Sequence, residues 1–264
     1  MTNREKQQKE EKNDRHNTKD RFNRFDKEKE PYRILRNYFV KLKKDDSKSI
    51  GFTSLSDDQE KVEVLLQICE ELAANQYNTL LIDANYFDNV ISEIFQLDSK
   101  KGLMDYLTQA MEELEKDSKT NFELAKDRYI YNTSIDYFNV MPIGLGKQEV
   151  SQLLKKNDIV GHLLTELKKD YDYILVEMPS FYQLSYVQLI TEFIDETVFV
   201  LKAGQIKVEQ AQEVRKQLES LSCHTVCCIL KPSKKRARRI NNLLSEIRKE
   251  EDTTTINALQ EMRE

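Results

Sequence analysis

Three ionisable residues stand where a phosphate-handling site would want them. Lys61 begins a helix after the first apolar strand, Asp83 ends the second strand, and Glu177 ends what reads as the fourth. In phosphoryl transfer two such carboxylates would hold Mg²⁺ and orient the attacking group, while the lysine would meet the β- and γ-phosphates. The stretch 48–74 supplies the setting: a buried strand, a short polar turn and an apolar helix. A working phosphate loop at that turn needs glycines, so that backbone N–H groups can close around the anion, and a Ser or Thr hydroxyl for the metal. The turn from Leu55 to Val62 contains no glycine. Val62 and Glu63 occupy the hydroxyl positions, and Asp57, Asp58 and Glu60 add like charge worth on the order of 1 kcal/mol each against a phosphate. Each residue also has a plain structural role open to it. Lys61 can be one helix lysine among many, Asp83 a cap on the following turn, and Glu177 a solvated strand end.

These side chains can meet only if the strands lie side by side. Near-continuous apolar runs at 50–54, 79–83, 137–142, 173–177, 196–202 and 225–230 read as strands. Helical patterns lie between them at 58–75, 90–97, 102–114, 149–169, 184–193 and 208–221, whereas 115–135 reads as loop with surface helix. Alternating βα units with apolar strands predict an α/β fold, a doubly wound, mostly parallel sheet with helices on both faces. Ligands of such sheets bind beyond the carboxyl ends of the strands.

The chain has 264 residues, 39% hydrophobic and 33% charged, with a net charge of −5. That fits one domain with charged appendages and argues against a globally basic nucleic-acid binder. No apolar run approaches the roughly 20 residues of a membrane span, and the charged N-terminus lacks a signal-peptide core, so the expected location is the cytoplasm. Residues 1–29 are almost wholly polar and are expected to be disordered. A helix with an apolar stripe follows at 30–44. Residues 233–250 read as a basic amphipathic helix, suited either to packing on the domain edge or to an acidic surface. Cys223, Cys227 and Cys228 surround His224 without a second ligand pair at zinc spacing, which favours a buried strand over a metal site.

Several short motifs in this order resemble the bacterial tyrosine autokinases of capsule and exopolysaccharide assembly, P-loop proteins related to MinD/ParA ATPases. Glu30-Pro31-Tyr32-Arg33-Ile34-Leu35-Arg36 is similar to the family's E-x-[YF]-R-x-L-R helix. Gly102-Leu103-Met104-Asp105-Tyr106-Leu107 matches G-L-x-D-Y-L, Met141-Pro142-Ile143-Gly144 resembles L-P-A-G, and Ser151-Gln152-Leu153-Leu154 resembles S-E-L-L. Tyr171-Asp172-Tyr173 leads into the Walker B strand, and Leu201-Lys202-Ala203-Gly204 resembles V-R-A-G. The resemblance spans residues 30–231 and implies a P-loop-like domain there, followed by a basic helix and tail at 232–264. It implies oligomerisation through Glu30, Tyr32, Arg33, Leu35 and Arg36, and places the base-holding position of the nucleotide site at Lys231. The departures fall on the site. P-G-E-G-K-[ST]-T lies over 57–63 and keeps only Lys61, D-A-D-L-R-R-P lies over 83–89 and keeps Asp83 but has Asn85 for the second Asp, and the Walker B Asp is Glu177. The family's C-terminal tyrosine cluster is missing, because the last tyrosine is Tyr186.

The resemblance therefore implies a catalytically degenerate family member. It would act as a regulatory or structural subunit of polysaccharide synthesis, as a homo- or hetero-oligomer with kinase-family subunits. Its partner would be a separate membrane chain-length adaptor (a polysaccharide co-polymerase), met at the inner face of the membrane, with no cofactor and no nucleic acid. In a first alternative, Lys61, Asp83 and Glu177 still support weak ATP- and Mg²⁺-dependent kinase or ATPase activity, with both carboxylates as metal ligands. A second alternative is a MinD/ParA-like positioning factor.

Overall fold

The computed structural model describes residues 29–41, 47–55, 59–88, 90–116, 125–146, 157–202, 216–217 and 224–230. The N-terminal segment, the turn at 56–58, the predicted S-E-L-L motif, most of helix 208–221, Lys231 and the basic segment 233–250 lie outside them. The chain divides into two units, Met1–Lys44 and Asp45–Glu264. The first contains a helix over 29–41 (α1), with Pro31 in its opening turn, where a missing N–H costs nothing. One of its faces presents Glu30, Pro31, Ile34, Asn37 and Lys41 to solvent.

The second unit is built on a seven-stranded sheet: β1 (Lys48–Ser54), β2 (Thr79–Asp83), β3 (Tyr131–Asn132), β4 (Phe138–Met141), β5 (Tyr173–Glu177), β6 (Glu196–Lys202) and β7 (His224–Leu230). Their spatial order is β3-β4-β2-β5-β1-β6-β7. All pairings are parallel except β3 with β4. The helices are α2 (Gln59–Ala73), α3 (Val90–Ile94), α4 (Leu103–Lys116), α5 (Asn157–Leu167) and α6 (Leu184–Thr191), with 3₁₀ turns at Lys126–Tyr129 and Phe181–Gln183. This is the expected doubly wound α/β sheet. Sequence reading missed β3, which lies inside the stretch read as loop with surface helix. Glu177 consequently ends the fifth strand rather than the fourth.

Every residue of β2 and β5 is buried, as a central parallel strand covered on both faces must be. The period of two divides these strands. Leu80, Ile82, Ile174 and Val176 enter one core with Met104, Leu107, Leu163 and Ile190 from α4, α5 and α6. Thr79, Leu81 and Asp83 of β2 and Tyr173, Leu175 and Glu177 of β5 point the other way, in register with one another. On that opposite side α2 buries Val62, Leu65, Ile68 and Leu72. Parity thus puts Asp83 and Glu177 together on the side to which α2 brings Lys61.

Candidate functional site

The three residues predicted from the sequence do converge. Asp83 and Glu177 are register partners at the carboxyl ends of neighbouring strands, and Ala84 N–H donates to the Glu177 carbonyl at 2.9 Å, holding the two strand exits together. Lys61, two residues into α2, turns inward. Its Nζ lies 2.7 Å from Glu177 Oε1 and donates a further short hydrogen bond to the Met178 carbonyl. Met178 N–H in turn donates to Phe52 O of β1 at 2.9 Å, and the Thr53 hydroxyl donates to Pro179 O at 2.7 Å. The segment after β5 is therefore tied to β1 by its backbone, and Lys61 is tied to both.

Two plain roles offered by the sequence do not hold. Lys61 is 1% exposed and is no ordinary helix lysine, and Glu177 is 2% exposed and is no solvated strand end. The third holds: Asp83 Oδ1 accepts the Asn85 N–H at 3.0 Å and so fixes the turn after β2.

Asn85 belongs to the site, although the sequence marks it only as a departure from the family's second Asp. Its side-chain Nδ2 donates to Glu177 Oε1 at 3.2 Å, and its Oδ1 accepts the Phe87 N–H at 3.3 Å. An amide can do both, whereas an aspartate there would set a third carboxyl against Glu177. The available signal was local: an Asx residue two positions past a strand-end Asp, in a turn.

The electrostatics follow from burial. Asp83 is fully buried, and its Oδ2 has no hydrogen-bond partner among the described residues. Burial first, then the neighbouring Glu177 carboxyl, push Asp83 well above the usual carboxylate range, against the pull of the Asn85 N–H and the Lys61 ammonium. Mg²⁺ asks for about six oxygen ligands in near-octahedral array. Here Glu177 Oε1 is taken by the Lys61 ammonium and the Asn85 amide, burial and the Glu177 carboxyl make Asp83 hold its proton more tightly than an ordinary carboxyl, and the helix position after Lys61 is the buried Val62. Among the described residues no group of three or more His, Cys, Asp or Glu is placed to hold a metal. The residues as arranged do not fit the metal that the resemblance implies.

A second set of family-like motifs also meets in space. Asp105 Oδ2 accepts the Gly102 N–H at 3.0 Å and the Leu145 N–H at 2.8 Å. Leu103 and Met104 N–H donate to the carbonyls of Pro142 and Ile143, both at 2.8 Å. The G-L-x-D-Y-L and P-I-G segments thus satisfy the first turn of α4 from within.

A parallel α/β sheet, with a strand–turn–helix at its centre and acidic residues at the adjoining strand ends, is the architecture of P-loop nucleotide-binding proteins. No model of a known protein family matches the sequence. Tyrosine-protein kinase CpsD of Streptococcus agalactiae is 26% identical over 175 residues, 66% of this chain and 70% of that protein. The Streptococcus pneumoniae kinase of the same name is 24% identical over 181 residues, 68% of this chain and 74% of that protein. Among solved structures, the kinase domain of the Escherichia coli tyrosine kinase ETK has a TM-score of 0.64 at 19% identity, covering 76% of this chain and 73% of that one. The cell-division protein MinD of Aquifex aeolicus has a TM-score of 0.52 at 18% identity, covering 75% and 79%. In sequence the chain is similar to capsular tyrosine kinases, and in fold to a tyrosine-kinase domain and to MinD. No described helix is long and apolar enough to cross a membrane.

Proposed function

We propose that this chain is a catalytically inactive member of the family, acting as a regulatory or structural subunit of capsule or exopolysaccharide synthesis and export. The observation that carries the proposal is the position of Lys61. Its ammonium is buried on Glu177 and the Met178 carbonyl. To reach a phosphate it would have to abandon a buried carboxylate, a loss of several kcal/mol, while the adjoining turn offers no glycine to cradle the anion. The site is a closed internal ion pair in a scaffold of nucleotide-binding type. A subunit of this kind would work through its contacts, with kinase-family subunits and with a membrane chain-length adaptor. Isothermal titration of the full chain with Mg·ATP tests the proposal. No binding heat is expected, and micromolar affinity overturns it.

A second reading rests on the convergence of Lys61, Asp83 and Glu177 at one point. If the ion pair opens, the same three residues would support slow ATP-dependent phosphoryl transfer. A radiolabelled phosphate-transfer assay comparing the wild type with Lys61→Met decides between the readings: a Lys61-dependent signal supports the second, and its absence removes it.

A further inference from the structure

We propose that an exposed apolar rim at the carboxyl end of the sheet is the docking surface for this chain's own basic segment, residues 233–250. Among the described residues of the second unit, six large apolar side chains are exposed. Four of them stand at the exits of three adjacent strands: Leu145 after β4, Tyr86 and Phe87 after β2, and Tyr182 after β5. They are 45–72% exposed. The other two, Ile135 and Tyr137, lie before β4. Phe87 is steadied from below by Tyr186 of α6, whose ring lies edge-on at 5.2 Å, and Tyr86 lies 6.0 Å from Phe87. Exposed apolar side chains gathered from three separate segments mark an interaction surface rather than a leftover of folding.

The occupant follows from where the chain leaves the sheet. Strand β7 runs parallel to β6 and ends at Leu230, at the same end of the sheet as the rim. The rim begins over β5, three strands away in the order β5-β1-β6-β7, which is about 14 Å at the usual strand spacing. The chain from Leu230 to Ile240 covers about 15 Å even if wholly helical, so the segment reaches the rim. Its apolar residues Ile240, Leu243, Leu244 and Ile247 fall at i, i+3, i+4 and i+7, the anchor pattern of a helix laid on an apolar groove. That stripe is about 10 Å long, and the rim from β5 to β4 is about 10 Å wide. Charge agrees. From Ala84 to Ser99, from Pro142 to Gly146 and from Tyr171 to Leu201 the sequence has no lysine or arginine, while Asp88 follows Phe87 and Glu60 lies in the first turn of α2. The segment brings seven lysines and arginines against two glutamates, and such complementarity fixes which surface it meets. The rim of the free chain is then covered by its own segment, and a partner that uses this face must displace it. The inference goes beyond the proposed inactivity and does not rest on it: nucleotide binding would overturn the one and leave the other standing.

Two measurements on the full chain test it, with every variant first checked for wild-type melting. The chain has no tryptophan, so Leu243→Trp puts a single reporter in the segment. Its emission is expected at the short wavelengths of a buried indole, the same at every protein concentration. It should move to longer wavelength when Phe87→Ser and Tyr182→Ser are added, or Leu145→Ser if that pair melts early. A synthetic peptide of residues 233–250, labelled for fluorescence anisotropy, supplies the second readout. It is expected to bind the variant Leu243→Asp with Leu244→Asp, whose own segment has left the rim. The wild type should bind it at least about tenfold more weakly, because a tethered segment competes at millimolar effective concentration. Rim substitutions that leave the tryptophan emission unchanged overturn the proposal, as does a peptide that binds the wild type and the Asp variant equally or binds neither. An emission shift that grows with protein concentration also overturns it, since the segment would then come from a second copy.

Discussion

Lys61 and Glu177 are each costly to bury alone and tolerable only together. Removing one partner of a buried pair leaves an uncompensated charge and costs about 3–5 kcal/mol, whereas replacing both by apolar groups of similar volume is often close to neutral. Lys61→Ala is therefore expected to destabilise the fold by about 3–5 kcal/mol, and Lys61→Met with Glu177→Leu to recover most of that loss. Urea denaturation of the single and double variants measures both. A loss below about 1 kcal/mol in the single variant would mean a solvated lysine free to serve a ligand. Asp83 makes a different prediction. Its folded carboxyl binds its proton more tightly than the unfolded chain does. The favourable contribution is therefore fully present below the unfolded value of about 3.9 and is lost as pH rises toward the raised folded value. Asp83→Asn resembles the protonated acid and keeps an oxygen for the Asn85 N–H. It should flatten that decline and leave stability at neutral pH unchanged or higher. Melting temperatures of both proteins across a pH series test this, and a strongly destabilised Asn variant at neutral pH would show that the charged form is the one the fold needs.

The start of α4 is where the family-like motifs do structural work. Gly144 has φ +90, and a Cβ there would lie 2.2 Å from Asp105 Oδ2, while a Cβ on Gly102 would lie 1.9 Å from the Pro142 carbonyl oxygen. The two segments can approach so closely only as glycines. Asp105→Ala strands the N–H groups of Gly102 and Leu145 and should cost about 1–3 kcal/mol. Gly102→Ala should cost more, because backbone must move, and thermal unfolding ranks the two. Equal stability of both variants with the wild type would remove the structural reading of these motifs. Legibility follows the same physics. The strands at 79–83, 173–177 and 196–202 were plain from unbroken apolar runs, but two-residue β3 is too short to show a period and exists only by pairing with β4. That Asp83 and Glu177 end strands was readable. That they are register partners was not, since register is set by packing across the sheet. The inward turn of Lys61 and the bond from Asn85 to a residue 92 positions away are tertiary facts with no local signature.

Charge is unevenly spread over the whole chain, and this bears on where it works. Residues 233–250 hold seven lysines and arginines against two glutamates, a net +5 in a chain of net −5, so the remainder carries −10. An anionic membrane surface would attract the first part and repel the second, with each cation near the surface contributing about 1 kcal/mol. The attraction falls off over a Debye length of about 8 Å at physiological salt, so it weakens as salt rises. The full chain is therefore expected to sediment with vesicles containing phosphatidylserine, to stay in solution with neutral vesicles, and to be released as salt is raised. A chain truncated after residue 231 should not sediment with either kind. If the truncated chain binds as well as the full one, the basic segment is packed on its own domain and the membrane contact must come from a partner. Salt-independent binding would point instead to apolar insertion, which the clustered cations Lys234, Lys235, Arg236, Arg238 and Arg239 do not favour at low net hydrophobicity.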